Sequence, residues 1–430
     1  PVRNKFLRLD LKNLLFFTHF SVILFVRGSD SMIFRPDYMR KLQPLIDKPL
    51  VKILSGIRRC GKSTIFEMLK VELCARGIPE ERIIHKTYTE MDIPENITAK
   101  QMYDELAAMI QGKGHCYLLL DEIQEVPGWE RAVNSLLENA DADIYVTGSN
   151  SKLMSSEIST YLTGRYVLIP VYPLSFREYL DFKSGSPLSS RELLDEYIRF
   201  GGFPVIALSD YEAQTAYQIV NGIYYTVVSR DIVKRHRINK QDLFDRVVKY
   251  VVENTGKTFS ANSISNFMKS EQRKVSVESI YNYLRWLEQA FIVYPCARYD
   301  LQGKSILKTQ EKYYLADMSL KYALLGYNRK MLDGALENIV FLELKRRGYD
   351  VYIGKSGARE IDFVAIRRDE RLYVQVCVQL PADSEREVGN LMEIRDHYPK
   401  YVVTLDDMSV GIENGIKIVH LSDFLLSEQW

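Results

Sequence analysis

One eight-residue run constrains the fold of this chain more than any other: Gly56-Ile57-Arg58-Arg59-Cys60-Gly61-Lys62-Ser63. It fits the pattern of Gly, four residues, Gly-Lys and then Ser or Thr. The apolar residues 51–54 precede it, and residues 62–76 behind it have the apolar spacing of a helix. A strand that turns through glycines into a helix N-terminus can point successive backbone N–H groups at a phosphate. The sequence therefore predicts an α/β fold with a phosphate-binding loop.

Each residue type in this loop has an expected task. The ammonium of Lys62 would reach the β- and γ-phosphates of ATP, and the hydroxyl of Ser63 would ligate Mg²⁺. The nucleotide would be held by the loop and the first helical residues: Gly56, Ile57, Arg58, Arg59, Cys60, Gly61, Lys62, Ser63 and Thr64. The alternative is a flexible glycine-rich turn with a stray lysine.

A second motif, Asp121-Glu122, follows the apolar residues 117–120. A strand ending there would deliver Asp121 to the Mg²⁺ shell, and Glu122 would polarise the attacking water as a general base. The separation from Lys62 leaves room for an additional strand and helix. We therefore predict the additional-strand class of phosphate-loop ATPases and not the adenylate-kinase-like class.

A third motif ends another apolar run, at Ser149 and Asn150. If this strand lies beside the Asp121 strand, these side chains can sense the γ-phosphate or position water, although they could instead cap a helix. Arg165 lies further on. It could reach the nucleotide of a neighbouring subunit as a trans finger in a homo-oligomer, or make a structural ion pair.

Together these motifs resemble those of a known family, the prokaryotic AAA+ ATPases that carry a C-terminal domain of unknown function (domain of unknown function 4143). The resemblance extends from Met32 to near the C-terminus. It is carried by residues 56–63, 118–124, 147–149, 162–165, 173–176, 230–232, 337–338 and 360–363. It implies ATP binding and hydrolysis, a winged-helix segment and a C-terminal fold akin to restriction endonucleases.

The chain divides by pattern into five segments. Residues 1–31 read as an N-terminal extension outside the fold, 32–205 as the ATPase domain and 206–243 as a helical connector. The ATPase domain should be a parallel sheet with helices on both faces and strands at 51–54, 82–86, 116–120, 143–146 and 167–169. Residues 244–320 show two helices (261–270 and 277–291) followed by strand-like runs, the order of a winged helix. Residues 325–430 read as a nuclease-like α/β domain with strands at 350–353, 360–366, 371–378 and 400–405 and a helix at 386–397.

The last segment contains residues of a nuclease motif, but one group is missing. Glu337, Asp362 and Gln375 match the expected acidic and Gln positions in order, whereas Cys377 stands where the motif has lysine. A neutral thiol cannot supply the positive charge that stabilises the transition state. We expect an inactive, nuclease-like interaction domain that binds a protein partner. The alternatives are an ATP-dependent nuclease using these three residues and an ATP-binding switch that does not hydrolyse.

Overall charge excludes a strong general attraction to nucleic acid or anionic membrane, because the formal net charge is only +1. Between Ser229 and Lys249, however, there are seven Lys or Arg and only three Asp. This local excess of positive charge favours DNA contact, or it is simply a solvated helix face. Five scattered cysteines without a CxxC pair indicate the reducing cytoplasm. Residues 14–26 are mostly apolar but too short to span a bilayer comfortably. We expect an upstream extension there, with a membrane anchor as the alternative.

Overall fold

The computed structural model describes residues 23–24, 32–90, 93–94, 96–150, 161–238, 240–328, 332–357, 359–381 and 387–430. They form two compact units, one of the described residues up to Ser55 with Gly61–Val171 and one of Gly56–Cys60 with Tyr172–Trp430. Within the predicted extension, only β1 (Ile23–Leu24) is described, and it pairs antiparallel with β2 (Met32–Ile33). The remainder of the proposed anchor at 14–26 lies outside the described residues. Across the described ranges, no helix is both long and apolar enough to cross a membrane.

The first unit is built on a parallel sheet of five strands. They are β3 (Val51–Ser55), β4 (Ile83–Thr87), β5 (Cys116–Asp121), β6 (Ala142–Gly148) and β7 (Tyr166–Pro170). The strand order is β4-β5-β6-β3-β7, and every neighbouring pair is parallel. β6 therefore lies between the strand that leads into the loop and the strand that ends in Asp121. This arrangement confirms the predicted parallel sheet and its additional strand.

Helices accompany the sheet because the intervening segments have amphipathic spacing. They are Pro36–Leu42, Lys62–Ala75, Ala99–Ile110 and Trp129–Asn139. The apolar faces of the last two helices and the strands share a core that includes Ile53, Leu118, Val133 and Ile144. Such burial contributes about 1.5–3 kcal/mol for each large aliphatic side chain.

Lys52 interrupts the otherwise apolar strand β3 with a buried charge. Its ammonium forms an ion pair with Asp143 on β6 and donates to the Lys48 carbonyl at 2.8 Å. Asp143 also accepts from the Tyr145 hydroxyl at 2.7 Å and from the Asp47 N–H at 2.9 Å. Burial lowers the pKa of Lys52, and the Asp143 charge opposes that effect. The pair ties two central strands together in one register.

In the described residues of the second unit, eight strands form one sheet. They are β8 (Val293–Asp300), β9 (Ser305–Leu315), β10 (Asp350–Ser356), β11 (Arg359–Arg367), β12 (Glu370–Cys377), β13 (Lys400–Thr404), β14 (Gly411–Glu413) and β15 (Ile416–His420). Their order is β14-β15-β13-β12-β11-β10-β8-β9. The ribbon β8–β9 follows the predicted winged-helix helices, yet β8 pairs in parallel with β10. The predicted boundary at 320–325 thus does not coincide with a break in the sheet.

Helices surround this sheet and form the segment before it. They are Phe176–Phe182, Ser190–Phe200, Pro204–Ala207, Ala213–Val227, Lys234–His236, Gln241–Glu253, Ala261–Ser270, Val277–Gln289, Ser319–Leu325, Leu332–Arg346, Glu387–Met392 and Leu421–Leu426. The helix expected at 386–397 is shorter, and Arg386 lies outside the described residues. It ends at Met392, and Asp396, which was expected within it, instead accepts from the Tyr373 hydroxyl at 2.6 Å and pairs with Lys400 at 3.2 Å.

Two adjacent glycines make a close backbone approach in the second unit. Gly201 has a φ of +76°, and a Cβ there would lie 1.8 Å from the Asp317 carboxylate. A Cβ on Gly202 would lie 2.4 Å from the Leu174 carbonyl. The buried Asp317 accepts from the N–H groups of Gly202 at 2.7 Å and Ser319 at 2.9 Å. Both positions therefore require glycine.

A π-helical segment, Val228–Val233, lies between the helices Ala213–Val227 and Lys234–His236. Such segments are rare and occur frequently at functional sites. Asp231 and Ile232 within it are buried.

Candidate nucleotide-binding site

The loop of residues 56–61 turns tightly between β3 and the helix Lys62–Ala75. The Cys60 N–H donates to the Ile57 carbonyl at 3.4 Å. Gly61 has a φ of +96°, and Arg59 has a φ of +67°, a conformation that non-glycine residues rarely adopt. The first N–H groups of a helix have no intrahelical acceptor, so this end can bind an anion. The local geometry is that of the predicted phosphate loop.

The two side chains that would meet the phosphates begin this helix. Lys62 is its first residue and is buried, and Ser63 and Thr64 follow in exposed positions. Asp121 is the last residue of β5 and is only 3% exposed. The four residues belong to the same compact unit.

Thr147 on β6 connects Asp121 with Glu122. Its hydroxyl donates to Asp121 Oδ1 and accepts from the Glu122 N–H at 3.0 Å. The bridge exists because β5 and β6 are neighbours whose carboxyl ends reach the same edge of the sheet. The sequence included Thr147 in a motif without giving it a task. The structure shows that it orients the Asp121 carboxylate.

The Glu122 carboxylate is held by two polar side chains. The Ser149 hydroxyl donates to Glu122 Oε2 at 3.1 Å, and the Gln124 amide donates to the same oxygen. Gln124 Nε2 also lies 3.4 Å from Ser149 Oγ. Glu122 itself has a φ of +52°, a strained conformation that is found preferentially at functional sites. No role for Gln124 in holding the Glu122 carboxylate was predicted from the sequence. The only signal for it was its position two residues after Glu122.

Asn150 and Arg165, the other predicted site residues, have different surroundings. Asn150 is buried, and residues 151–160 after it lie outside the described residues. Arg165 Nη2 lies 2.6 Å from Asn134 Oδ1 and 2.8 Å from Glu138 Oε1. This hydrogen bond is the largest cause that lowers the pKa of Glu138. Of the two alternatives for Arg165, the structure shows the ion pair, with Glu138. Its role as a trans finger stays a prediction.

The donor set at this edge of the sheet fits Mg²⁺. The Ser63 hydroxyl and the Asp121 carboxylate are hard oxygen donors, which this ion prefers. Within the described part of the chain, no group of three or more His, Cys, Asp or Glu side chains is arranged to hold a metal.

A separate ion cluster in the second unit contains two residues of the nuclease motif. Lys312 on β9 is 5% exposed in its side chain. Its Nζ lies 3.2 Å from Glu337 Oε2, 3.0 Å from Glu360 Oε1 and 3.9 Å from Asp362 Oδ1. Burial and then the Asp362 charge raise the pKa of Glu337 to about 7, against the opposing effect of Lys312. An ammonium thus lies beside two carboxylates of the motif, and it comes from β9 and not from position 377.

The third motif residue, Gln375, is engaged in hydrogen bonds of its own. Its Oε1 accepts from the Asp362 N–H at 2.6 Å, and its Nε2 donates to Glu387 at 3.0 Å. Asp362 Oδ2 accepts from the Val376 N–H at 2.8 Å. Burial raises the pKa of Cys377 to about 11, so this thiol is neutral at ordinary pH. These contacts join the motif residues to the structure of the sheet.

Two family models match the sequence. A model described as an AAA domain matches residues 48–180, and a domain of unknown function (DUF8612) matches residues 191–330. The first range includes the loop, Asp121-Glu122, Ser149-Asn150 and Arg165. The second is a domain of unknown function other than the one in the resemblance above, and it includes the π-helical segment and the ribbon β8–β9.

Relatives match over most of the chain. An uncharacterized protein of Haemophilus influenzae is 36% identical over 403 residues, which is 93% of this chain and 100% of that protein. An uncharacterized protein of Methanocaldococcus jannaschii is 31% identical over 360 residues, 79% of this chain and 77% of the relative. A solved Walker-type ATPase of Pyrococcus abyssi shares 14% identity at a TM-score of 0.45, over 67% of this chain and 94% of that one. That likeness is too weak to add to the assignment. On the two sequence relatives, the chain belongs to the family of the Haemophilus influenzae protein, and it carries an AAA domain followed by a domain of unknown function.

Proposed function

We propose that this chain binds and hydrolyses ATP with Mg²⁺ at the site formed by Lys62, Ser63, Asp121 and Glu122. One observation carries the proposal. Asp121 and Glu122 lie at the carboxyl end of β5, and both bind Thr147 of β6, the strand next to the loop strand β3. An acidic pair on β5, separated by the single strand β6 from the strand that leads into the loop, supports the proposal.

Each side chain has a task that its position supports. Lys62 would neutralise the β- and γ-phosphates, and Ser63 and Asp121 would hold Mg²⁺, which draws charge from the transferred phosphoryl group. Glu122 would orient the attacking water. Ser149 would read the γ-phosphate together with Asn150. Because Ser149 donates to Glu122, we infer that engaging a phosphate oxygen would remove one of the two side-chain hydrogen bonds that hold Glu122 Oε2.

The nucleotide state would control a DNA- or protein-binding function of residues 244–430 in the cytoplasm. A winged helix made of Ala261–Ser270, Val277–Gln289 and the ribbon β8–β9 is supported by their order. Exposed basic side chains nearby support DNA contact: Arg230, Lys234, Lys249, Lys257, Lys269 and Lys274. Arg246 and Arg273 contribute less, because they pair with Glu271 and Asp242.

The ion cluster around Lys312 supports an interaction role for the C-terminal part over the nuclease alternative. The ammonium of Lys312 lies beside the carboxylates of Glu337 and Asp362. The side-chain amide of Gln375 makes hydrogen bonds through both its oxygen and its nitrogen. A metal would have to displace that ammonium to reach the same carboxylates. We therefore propose that these residues stabilise the sheet.

The decisive experiment measures ATP turnover with and without DNA for the wild type, Lys62→Ala and Glu122→Gln, with DNA cleavage scored in the same reactions. Glu122→Gln should bind ATP normally and lower kcat about 10²- to 10⁴-fold, because it loses the carboxylate that orients water. The nearby exposed Glu125→Gln is the matched control and should keep the wild-type rate. Turnover that survives both Lys62→Ala and Glu122→Gln would reject the ATPase assignment. ATP binding without turnover would identify a switch, and cleavage lost in Asp362→Ala would identify a nuclease.

A further inference from the structure

Arg58, inside the phosphate loop, forms a two-bond ion pair with Asp231. Its Nε donates to Asp231 Oδ2 at 2.7 Å, and its Nη2 donates to Oδ1 at 3.0 Å. Bidentate pairs of this kind fix orientation as well as charge. The Asp231 side chain is 1% exposed and that of Arg58 is 11% exposed. Both residues belong to the same compact unit, so the pair is an internal contact of that unit.

Asp231 lies in the π-helical segment Val228–Val233. Asp231 belongs to residues 230–232, one of the motifs that carry the family resemblance. These residues have no task in the phosphate chemistry proposed above. A buried carboxylate is costly unless it is paired, and here the guanidinium of Arg58 supplies the counter-charge. A buried acid in a rare π-helical segment, Asp231, therefore binds a residue of the phosphate loop, Arg58.

The loop beside Arg58 is strained. Arg59 has a φ of +67°, and such conformations persist only where the surrounding structure fixes them. The residues on either side are fixed: Arg58 by Asp231, and Ile57 and Cys60 by burial and their mutual backbone hydrogen bond. A guanidinium held by Asp231 is also kept from turning to a phosphate. The pair therefore determines both the shape and the charge of the loop.

We propose that Asp231 is a positioning residue for nucleotide binding, which acts through Arg58 to hold the phosphate loop in its anion-binding shape. The inference deepens the proposed function and rests on it. A loop that is already in its binding shape pays less conformational entropy when the ligand arrives. Asp231 acts on the ground state, so its loss should weaken ATP binding and leave kcat nearly unchanged.

The test measures the Kd of Mg·ATP by titration calorimetry, and kcat in steady state, for Asp231→Asn and Arg58→Lys. We expect the Kd to rise about tenfold in both variants, within the 10- to 100-fold range typical of residues that orient a binding group and equal to about 1.4 kcal/mol. Asp242→Asn is the matched control, because it breaks an exposed pair with Arg273 in the same unit. Its Kd should equal that of the wild type.

The two variants also separate the explanations. An unchanged Kd in Asp231→Asn together with a lower Tm would overturn the proposal in favour of a purely structural pair. Tighter binding in Asp231→Asn would overturn it as well, because Arg58 would then be a phosphate ligand that Asp231 restrains. If Asp231→Asn fails to fold, Arg58→Lys decides, since it keeps a cation beside the buried acid. A Kd unaffected even by Lys62→Ala would reject the proposed function itself.

Discussion

Replacing Lys312 with Met should destabilise the second unit strongly and in a pH-dependent way. The ammonium lies among the carboxylates of Glu337, Glu360 and Asp362, and its own side chain is almost completely buried. Without it, the three acidic groups remain together, and Arg298 Nη2 lies 3.8 Å from Glu360 Oε2. Glu337 would bear more of the cost than Glu360, because its side chain is 15% exposed whereas that of Glu360 is 38% exposed.

The magnitude follows from the distances. Two unit charges 3.2 Å apart, as Lys312 and Glu337 are, interact by about 5 kcal/mol at an effective dielectric constant of about 20. Removing one partner of a buried pair typically costs about 3–5 kcal/mol. We expect a loss in that range at pH 8, where Glu337 is ionised. The loss should be clearly smaller at pH 5.5, where a pKa of about 7 keeps Glu337 protonated.

Differential scanning calorimetry at the two pH values is the assay. The expected loss corresponds to a decrease in Tm of roughly 10 °C at pH 8. Lys312→Met/Glu337→Gln should recover more than half of it, because the double variant leaves no buried carboxylate at position 337. A loss below about 1 kcal/mol at pH 8 would refute the reasoning, since that is the range of an exposed pair. Equal losses at both pH values would refute the part assigned to Glu337.

Three further predictions concern stability. The folded-state pKa of Glu337, about 7, exceeds its ordinary value of 4.5, so this group contributes stability that is complete below about pH 4.5 and is lost as the pH rises through 7. In urea unfolding from pH 4.5 to 8, the free energy of unfolding of the wild type should therefore fall by up to about 3 kcal/mol. This fall should be absent in Glu337→Gln. Lys52→Met strands the buried Asp143 charge and should cost about 3–5 kcal/mol in urea unfolding, whereas Lys52→Met/Asp143→Leu should recover most of that loss. Gly202→Ala forces a Cβ to within 2.4 Å of the Leu174 carbonyl, so a thermal scan should show a loss of stability of about 2–3 kcal/mol. The control Gly222→Ala, where the added Cβ meets open space on a helix, should be neutral or stabilising. A Gly202→Ala protein as stable as wild type would contradict the close approach.

The first unit was the more predictable part of the fold. Five apolar runs separated by helical spacing predicted five parallel strands, and the structure has β3 to β7 within a few residues of the predicted positions. The placement of Ser149 beside Glu122 was also predictable, because a strand between β3 and β5 must end at the same edge. Local pattern and sheet topology together determine these features.

The rest depends on contacts between residues far apart in sequence. Lys312 on β9 meets Asp362 of β11 within one sheet and Glu337 of the helix Leu332–Arg346. No local pattern encodes these contacts or the pairing of β8 with β10. Strand β14 was missed because it is three residues long and exposed, with Ile412 75% accessible. The link from Arg58 to Asp231 joins two motifs that the sequence recorded separately.

The shared sheet of the second unit has a consequence for dissecting the protein. β8 pairs in parallel with β10 through Arg298, Tyr299 and Asp300, and this contact crosses the point where the sequence suggested a division. A fragment that stops at residue 320 would leave one edge of β8 unpaired and remove the carboxylates around Lys312. Such a fragment should not fold autonomously, and the intact unit should melt in one cooperative transition. Boundaries for isolated expression therefore belong outside residues 293–420.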